Sequence, residues 1–122
     1  MSFNWGPQHI VPTETLKTYS GHIQLRETLD GELLEKDLET LGMPLQVMRI
    51  VTPWYYRMKG EETWIKIGES DDRERHFAVS WDTTGLHNGQ YEILTLMHVT
   101  VHGGEQPSTI ARENMIEVTV EN

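Results

Sequence analysis

The chain has 122 residues, 37% hydrophobic and 24% charged, the balance of a single globular domain and too apolar for a disordered one. Ten Lys/Arg against nineteen Asp/Glu leave a formal charge of −9, a field that repels phosphate backbones and anionic lipid heads. Nucleic acid and membrane insertion are therefore excluded as expectations; no apolar run approaches the roughly 20 residues of a membrane helix. Cysteine is absent, which removes disulfides and thiolate chemistry.

In chain order, residues 1–13 read as an irregular arm, because Gly6, Pro7 and Pro12 block regular structure. The arm has neither the basic start nor the apolar stretch of a secretory signal, and it carries Trp5. A single domain is expected over residues 14–122. From Tyr19 to Thr28 the pattern is strand-like, with Ile23 and Leu25 alternating against His22, Gln24 and Arg26. Leu34, Leu38 and Leu41 then fall at helical spacing, and Gly42 and Pro44 form a stop, so a short helix or pair of turns is expected near residues 30–42. Strand patterns resume over Leu45–Thr52, Trp54–Met58, Trp64–Ile67, His76–Trp81, Tyr91–Val101 and Ile116–Val120. Turn signals at Gly60, Asp71-Asp72, Asn88-Gly89 and Gly103-Gly104 separate them. About seven short antiparallel strands point to an all-β sandwich, although a barrel shares the local pattern.

The stretch Ser80-Trp81-Asp82-Thr83-Thr84-Gly85-Leu86-His87-Asn88-Gly89-Gln90-Tyr91 resembles bacterial immunoglobulin-like domains, which carry an "sWDTTgLxNGxY" signature on the approach to the sixth strand. Weaker likeness extends to Thr18–Ile23, to Lys66-Ile67-Gly68 and to the terminal Ile116–Asn122. The resemblance implies an immunoglobulin-like β-sandwich with scaffold roles for three residues. Tyr91 would tie its hydroxyl back to the chain upstream, Trp81 would fill core volume between the sheets, and Asp82 would accept N–H bonds in the following turn. It also implies export to a cell surface or the extracellular space. Two segments are longer than in that family, Asp30–Pro44 and Pro53–Glu62, and insertions of this kind carry binding surfaces on fixed scaffolds.

No constellation for catalysis or a cofactor is visible. His98 and His102 have a spacing that serves zinc on a helix, but on a strand they lie about 13 Å apart. The doublets Asp71-Asp72 and Glu61-Glu62 offer oxygen ligands for calcium, yet the D-x-D-x-D-G pattern is missing, so no metal is expected. Nucleophile elbows and phosphate-cradling glycine loops are also missing. The aromatic residues remain. Trp54, Tyr55, Tyr56 and Trp64 lie close together, and strand alternation cannot bury the consecutive three on one face. With Trp5 they are the candidate binding residues. The expectation is a non-catalytic structural or interaction module of a surface assembly, such as a virion decoration or tail component docking through its arm on a protein partner or a second copy. A carbohydrate-binding or spacer domain of a bacterial cell-surface or secreted protein is the alternative.

Overall fold

A computed structural model describes residues 18–27, 29–42, 47–102 and 107–122. It is mostly β, with six strands and one α-helix among the described residues: β1 (His22–Leu25), α1 (Gly31–Thr40), β2 (Val47–Met58), β3 (Ile65–Ser70), β4 (Val79–Asp82), β5 (Gly89–Val101) and β6 (Ser108–Val120). Every pairing between these strands is antiparallel. They form a four-stranded sheet in the order β3-β2-β5-β6 and a two-stranded sheet of β1 and β4. Trp5 and the rest of the arm lie outside the described residues.

One face of the larger sheet carries the core. Along β5, Tyr91, Ile93, Thr95, Met97, Val99 and Val101 are all buried, which is the period-2 signature of an inward row. At one end this row packs on β1 and β4, with Ile23, Leu25, Val79 and Trp81 meeting Trp54, Tyr91, Ile93, Val118 and Val120. At the other end α1 takes the place of a sheet, seating Leu34 and Leu38 on Met97, Val99 and Val101 with Phe77 beside them. The second layer is therefore half sheet and half helix.

Helix α1 starts where Asp30 accepts the backbone N–H groups of Glu32 and Leu33. It stops at Gly42, whose φ of 67° only glycine adopts without strain. Its range falls within the expected helix or turn segment. The count of about seven strands falls to six among the described residues, because the described part of Leu45–Thr52, from Val47 on, and Trp54–Met58 form one strand, β2. Pro53 donates nothing to the ladder, but pairing resumes on the same register at Trp54, so the strand runs through it.

Between the two apolar clusters lies a buried polar seam. Glu27 is fully buried and accepts from Thr95 Oγ1 (2.7 Å), Asn114 Nδ2 (3.3 Å) and Thr52 Oγ1 (3.5 Å), and pairs with Arg112 Nη2 at 3.3 Å. A buried carboxylate needs this many partners to offset its lost hydration. The chain's early segment is fixed at the opposite end. Tyr19 sits parallel to Val120, donating its N–H to Thr119 O (2.7 Å) and accepting from Glu121 N (3.0 Å). Burial pushes the Tyr19 hydroxyl well above the usual phenol range.

Before β4, Arg73–Arg75 form a 3-10 turn capped by Asp72, whose side chain accepts the Arg75 N–H. His76 and Phe77 follow, both at φ 55°, a strained conformation for a bulky residue. The Phe77 ring is buried in the helix-side cluster and its carbonyl accepts the Trp54 indole N–H at 2.9 Å, which together hold the turn.

Candidate interaction surface

Alternation along β2 decides the fate of the aromatic run. Trp54 and Tyr56 point to the core and Tyr55 points away from it. Trp54 has 0% exposure and its N–H is already bonded to Phe77, so it is corrected from a binding residue to a core residue. Tyr56 is half-buried against Trp81 and Tyr91, with ring centroids 5.2 and 6.3 Å away. Trp64 lies with the Arg57 guanidinium 4.1 Å from its ring centroid, which covers one face of the indole. Of the described candidates, only Tyr55 and Trp64 belong to the outer side of the larger sheet.

That outer side is the surface of interest, since β1, β4 and α1 all pack on the other side. Its rows can be read from the pairing. Lys66, Tyr55, Leu94 and Met115 form one line across β3, β2, β5 and β6. The next line toward the β2–β3 hairpin is Arg57, Glu92 and Glu117, and on the other side Glu69 and Pro53 align with Leu96 and Glu113. Pro53 is buried and Leu94 is 8% exposed, although neither belongs to the two core clusters. Met115 is 49% exposed beside them. Val51, Tyr55 and Leu96 are partly buried and complete an apolar centre.

Charge surrounds that centre. Arg57 Nε on β2 lies 2.9 Å from Glu92 on β5, and Lys59 Nζ just beyond β2 lies 2.9 Å from Glu117 on β6. Lys66 is ion-paired to Glu69 on β3, and that bond holds the carboxyl below the usual carboxylate range. An apolar centre with a polar rim is the anatomy of a protein–protein contact. Sequence reasoning missed Pro53, Leu94, Leu96 and Met115. The signal was present in Ile93–Met97, which is apolar at most positions of both parities, and a strand apolar on both sides requires cover on both.

The residues tied to the immunoglobulin-like signature sit in scaffold positions. Trp81 is buried, with its ring 6.2 Å from that of Tyr91. The Tyr91 hydroxyl donates to the His87 carbonyl at 2.7 Å. Asp82 accepts the N–H and the hydroxyl of Thr84, at 2.9 and 2.6 Å, and those bonds lower its pKa. An open cavity of about 310 Å³ lies between the β2–β3 hairpin and the β4–β5 loop, with Tyr56, Met58, Ile65, Leu86 and Tyr91 as its apolar lining. Among the described residues no group of three His, Asp or Glu could hold a metal ion, and no helix is long and apolar enough to cross a membrane. No protein-family model matches the chain, and no curated protein matches it.

Proposed function

We propose that this chain is a non-catalytic interaction module of a larger surface assembly, and that it docks through the outer side of the β3-β2-β5-β6 sheet. The observation that carries the reading is the line Lys66–Tyr55–Leu94–Met115, apolar at its centre and flanked by the Arg57–Glu92 and Lys59–Glu117 pairs. Met115, 49% exposed, and the partly exposed Tyr55 gain free energy when water leaves them. The fold reading that accompanies it is an immunoglobulin-like sandwich, supported by the strand order and by the Tyr91–His87 bond at the β4–β5 corner. A virion decoration or tail component is one assembly that such a module suits; there the arm with Trp5 would add a second attachment.

The carbohydrate reading has less support, because Trp54 is interior and one face of Trp64 is occupied by Arg57. The test compares attachment of the wild-type chain and of Tyr55→Arg and Met115→Lys to the particle or surface with which it co-purifies. Loss of attachment with an unchanged circular dichroism spectrum is the expected result. Undiminished attachment by both folded variants overturns the docking surface. A tryptophan fluorescence shift on polysaccharide titration, abolished by Trp64→Ala, would favour the carbohydrate reading instead.

A further inference from the structure

We infer that Asn88 is a modification site, where the side-chain amide is lost spontaneously to give isoaspartate, and that the end of β6 sets its rate. The motif is Asn88-Gly89, at the point where the β4–β5 loop enters β5. The Gly89 backbone nitrogen attacks Cγ of Asn88. The N–Cγ bond forms, the Cγ–Nδ2 bond breaks, and the Gly89 amide proton leaves with the departing ammonia. The five-membered imide then takes up one water. Breaking the new N–Cγ bond gives aspartate, whereas breaking the original peptide bond leaves the chain running through Cβ and Cγ as isoaspartate. Glycine has no side chain to hinder the attack, and Asn88 is exposed to the water that opens the ring. The contrast is with Asn4, followed by Trp5, and with Asn114, which precedes Met115 and is 2% exposed.

In the closed fold both reacting groups are held by the same short segment. Tyr19 takes the Thr119 carbonyl and the Glu121 N–H. Backbone groups alternate sides along a strand, so the Val120 carbonyl faces β5, where Val120 is paired with Gly89. The Gly89 N–H is thus a ladder donor. The Asn88 side chain is fixed through Oδ1, which accepts the Asn122 N–H at 2.8 Å. Asn122 is anchored in turn, because its Nδ2 donates to the carbonyls of Thr83 (2.7 Å) and Leu86 (3.2 Å). Ring closure therefore requires Val120–Asn122 to lift away, and the native rate is that of the open chain multiplied by the fraction open. The product does not fit back. Residue 88 lies inside the corner that the Tyr91 hydroxyl closes on the His87 carbonyl, and isoaspartate adds a methylene to the backbone within it.

The experiment incubates the whole chain in mildly alkaline buffer and follows each asparagine by peptide mapping. Mass spectrometry reads the exchange of ammonia for water, and chromatography separates isoaspartate from aspartate. Asn88 is expected to convert ahead of Asn4 and Asn114, fastest in urea-unfolded chain and slowest in the native wild type. Asn122→Ala keeps the backbone N–H and loses the anchor, so in native buffer it should convert several-fold faster than the wild type. Conversion of Asn4 or Asn114 ahead of Asn88 in the native chain overturns the site. Equal rates in the wild type and a folded Asn122→Ala overturn the control by β6. A second measurement needs no variant: as urea is raised below the unfolding transition, amide exchange at Gly89 and conversion of Asn88 should accelerate together. Conversion that stays constant while Gly89 exchange accelerates also overturns that control.

Discussion

Tyr91 shows how much one hydroxyl can do in this fold. Its ring is buried between Trp81 and Tyr56, and its hydroxyl reaches four residues back to the His87 carbonyl. The bond turns the β4–β5 loop back over the sandwich. Tyr91→Phe keeps the ring and removes the bond, so it should cost about 0.5–1.5 kcal/mol. Urea unfolding would read that loss as a lower midpoint with an unchanged slope. The role of Tyr91 was legible only through the resemblance of Ser80–Tyr91 to the immunoglobulin-like signature, not from composition or alternation. The role of Trp54 was not. Whether it points inward depends on the phase of alternation along β2, and three consecutive aromatics leave that phase undetermined.

At the scale of elements, α1 is the unusual part. A helix of ten residues is marginal alone, and this one persists because Leu34 and Leu38 are buried on β5. Asp30 supplies the cap. Asp30→Ala should therefore destabilise the chain by about 1 kcal/mol, and amide exchange should show protection falling first in Glu32–Leu34. The helix could be read from its leucine spacing and stop signal, but its position against the sheet could not. The first half of β6 was also hidden. Its inward row places Arg112 and Asn114 between Ile110 and Ile116, so the alternation expected of a half-buried strand breaks. The reason is Glu27, which is distant in sequence and makes a polar interior favourable at those two positions. Only the remainder, Ile116–Val120, shows a clean pattern, and only that part was legible.

Taken whole, the molecule is one larger sheet served by two partners on its inner side, with the Glu27 seam between them. β2, β5 and β6 run the length of both clusters, so unfolding should be a single transition. Removing the Glu27 carboxylate takes one buried ion-pair partner away from Arg112. Glu27→Ala should accordingly cost about 3–5 kcal/mol, most of it the penalty of a buried cation that has lost this carboxylate. Replacing both residues by leucine should cost less than Glu27→Ala, and calorimetric melting of the two variants checks the order. The outer side of the same sheet has no such internal reason for its apolar centre, and that asymmetry is what directs attention to a partner.

The parallel seating of Tyr19 on β6 has a mechanical consequence. A pull on the chain before Tyr19 and on the chain after Val120 acts in opposite directions on β6 and the segment bridged to it at Tyr19. The bonds from Tyr19 to Thr119 and Glu121 are then loaded in shear and must yield together rather than one after another. Asn122 strengthens the same point, donating from its side chain to Thr83 O at 2.7 Å and from its backbone to Asn88 at 2.8 Å. Resistance to tension follows the unfolding rate rather than equilibrium stability. A module held at both ends in a surface under flow or turgor would depend on this clasp more than on the size of its core.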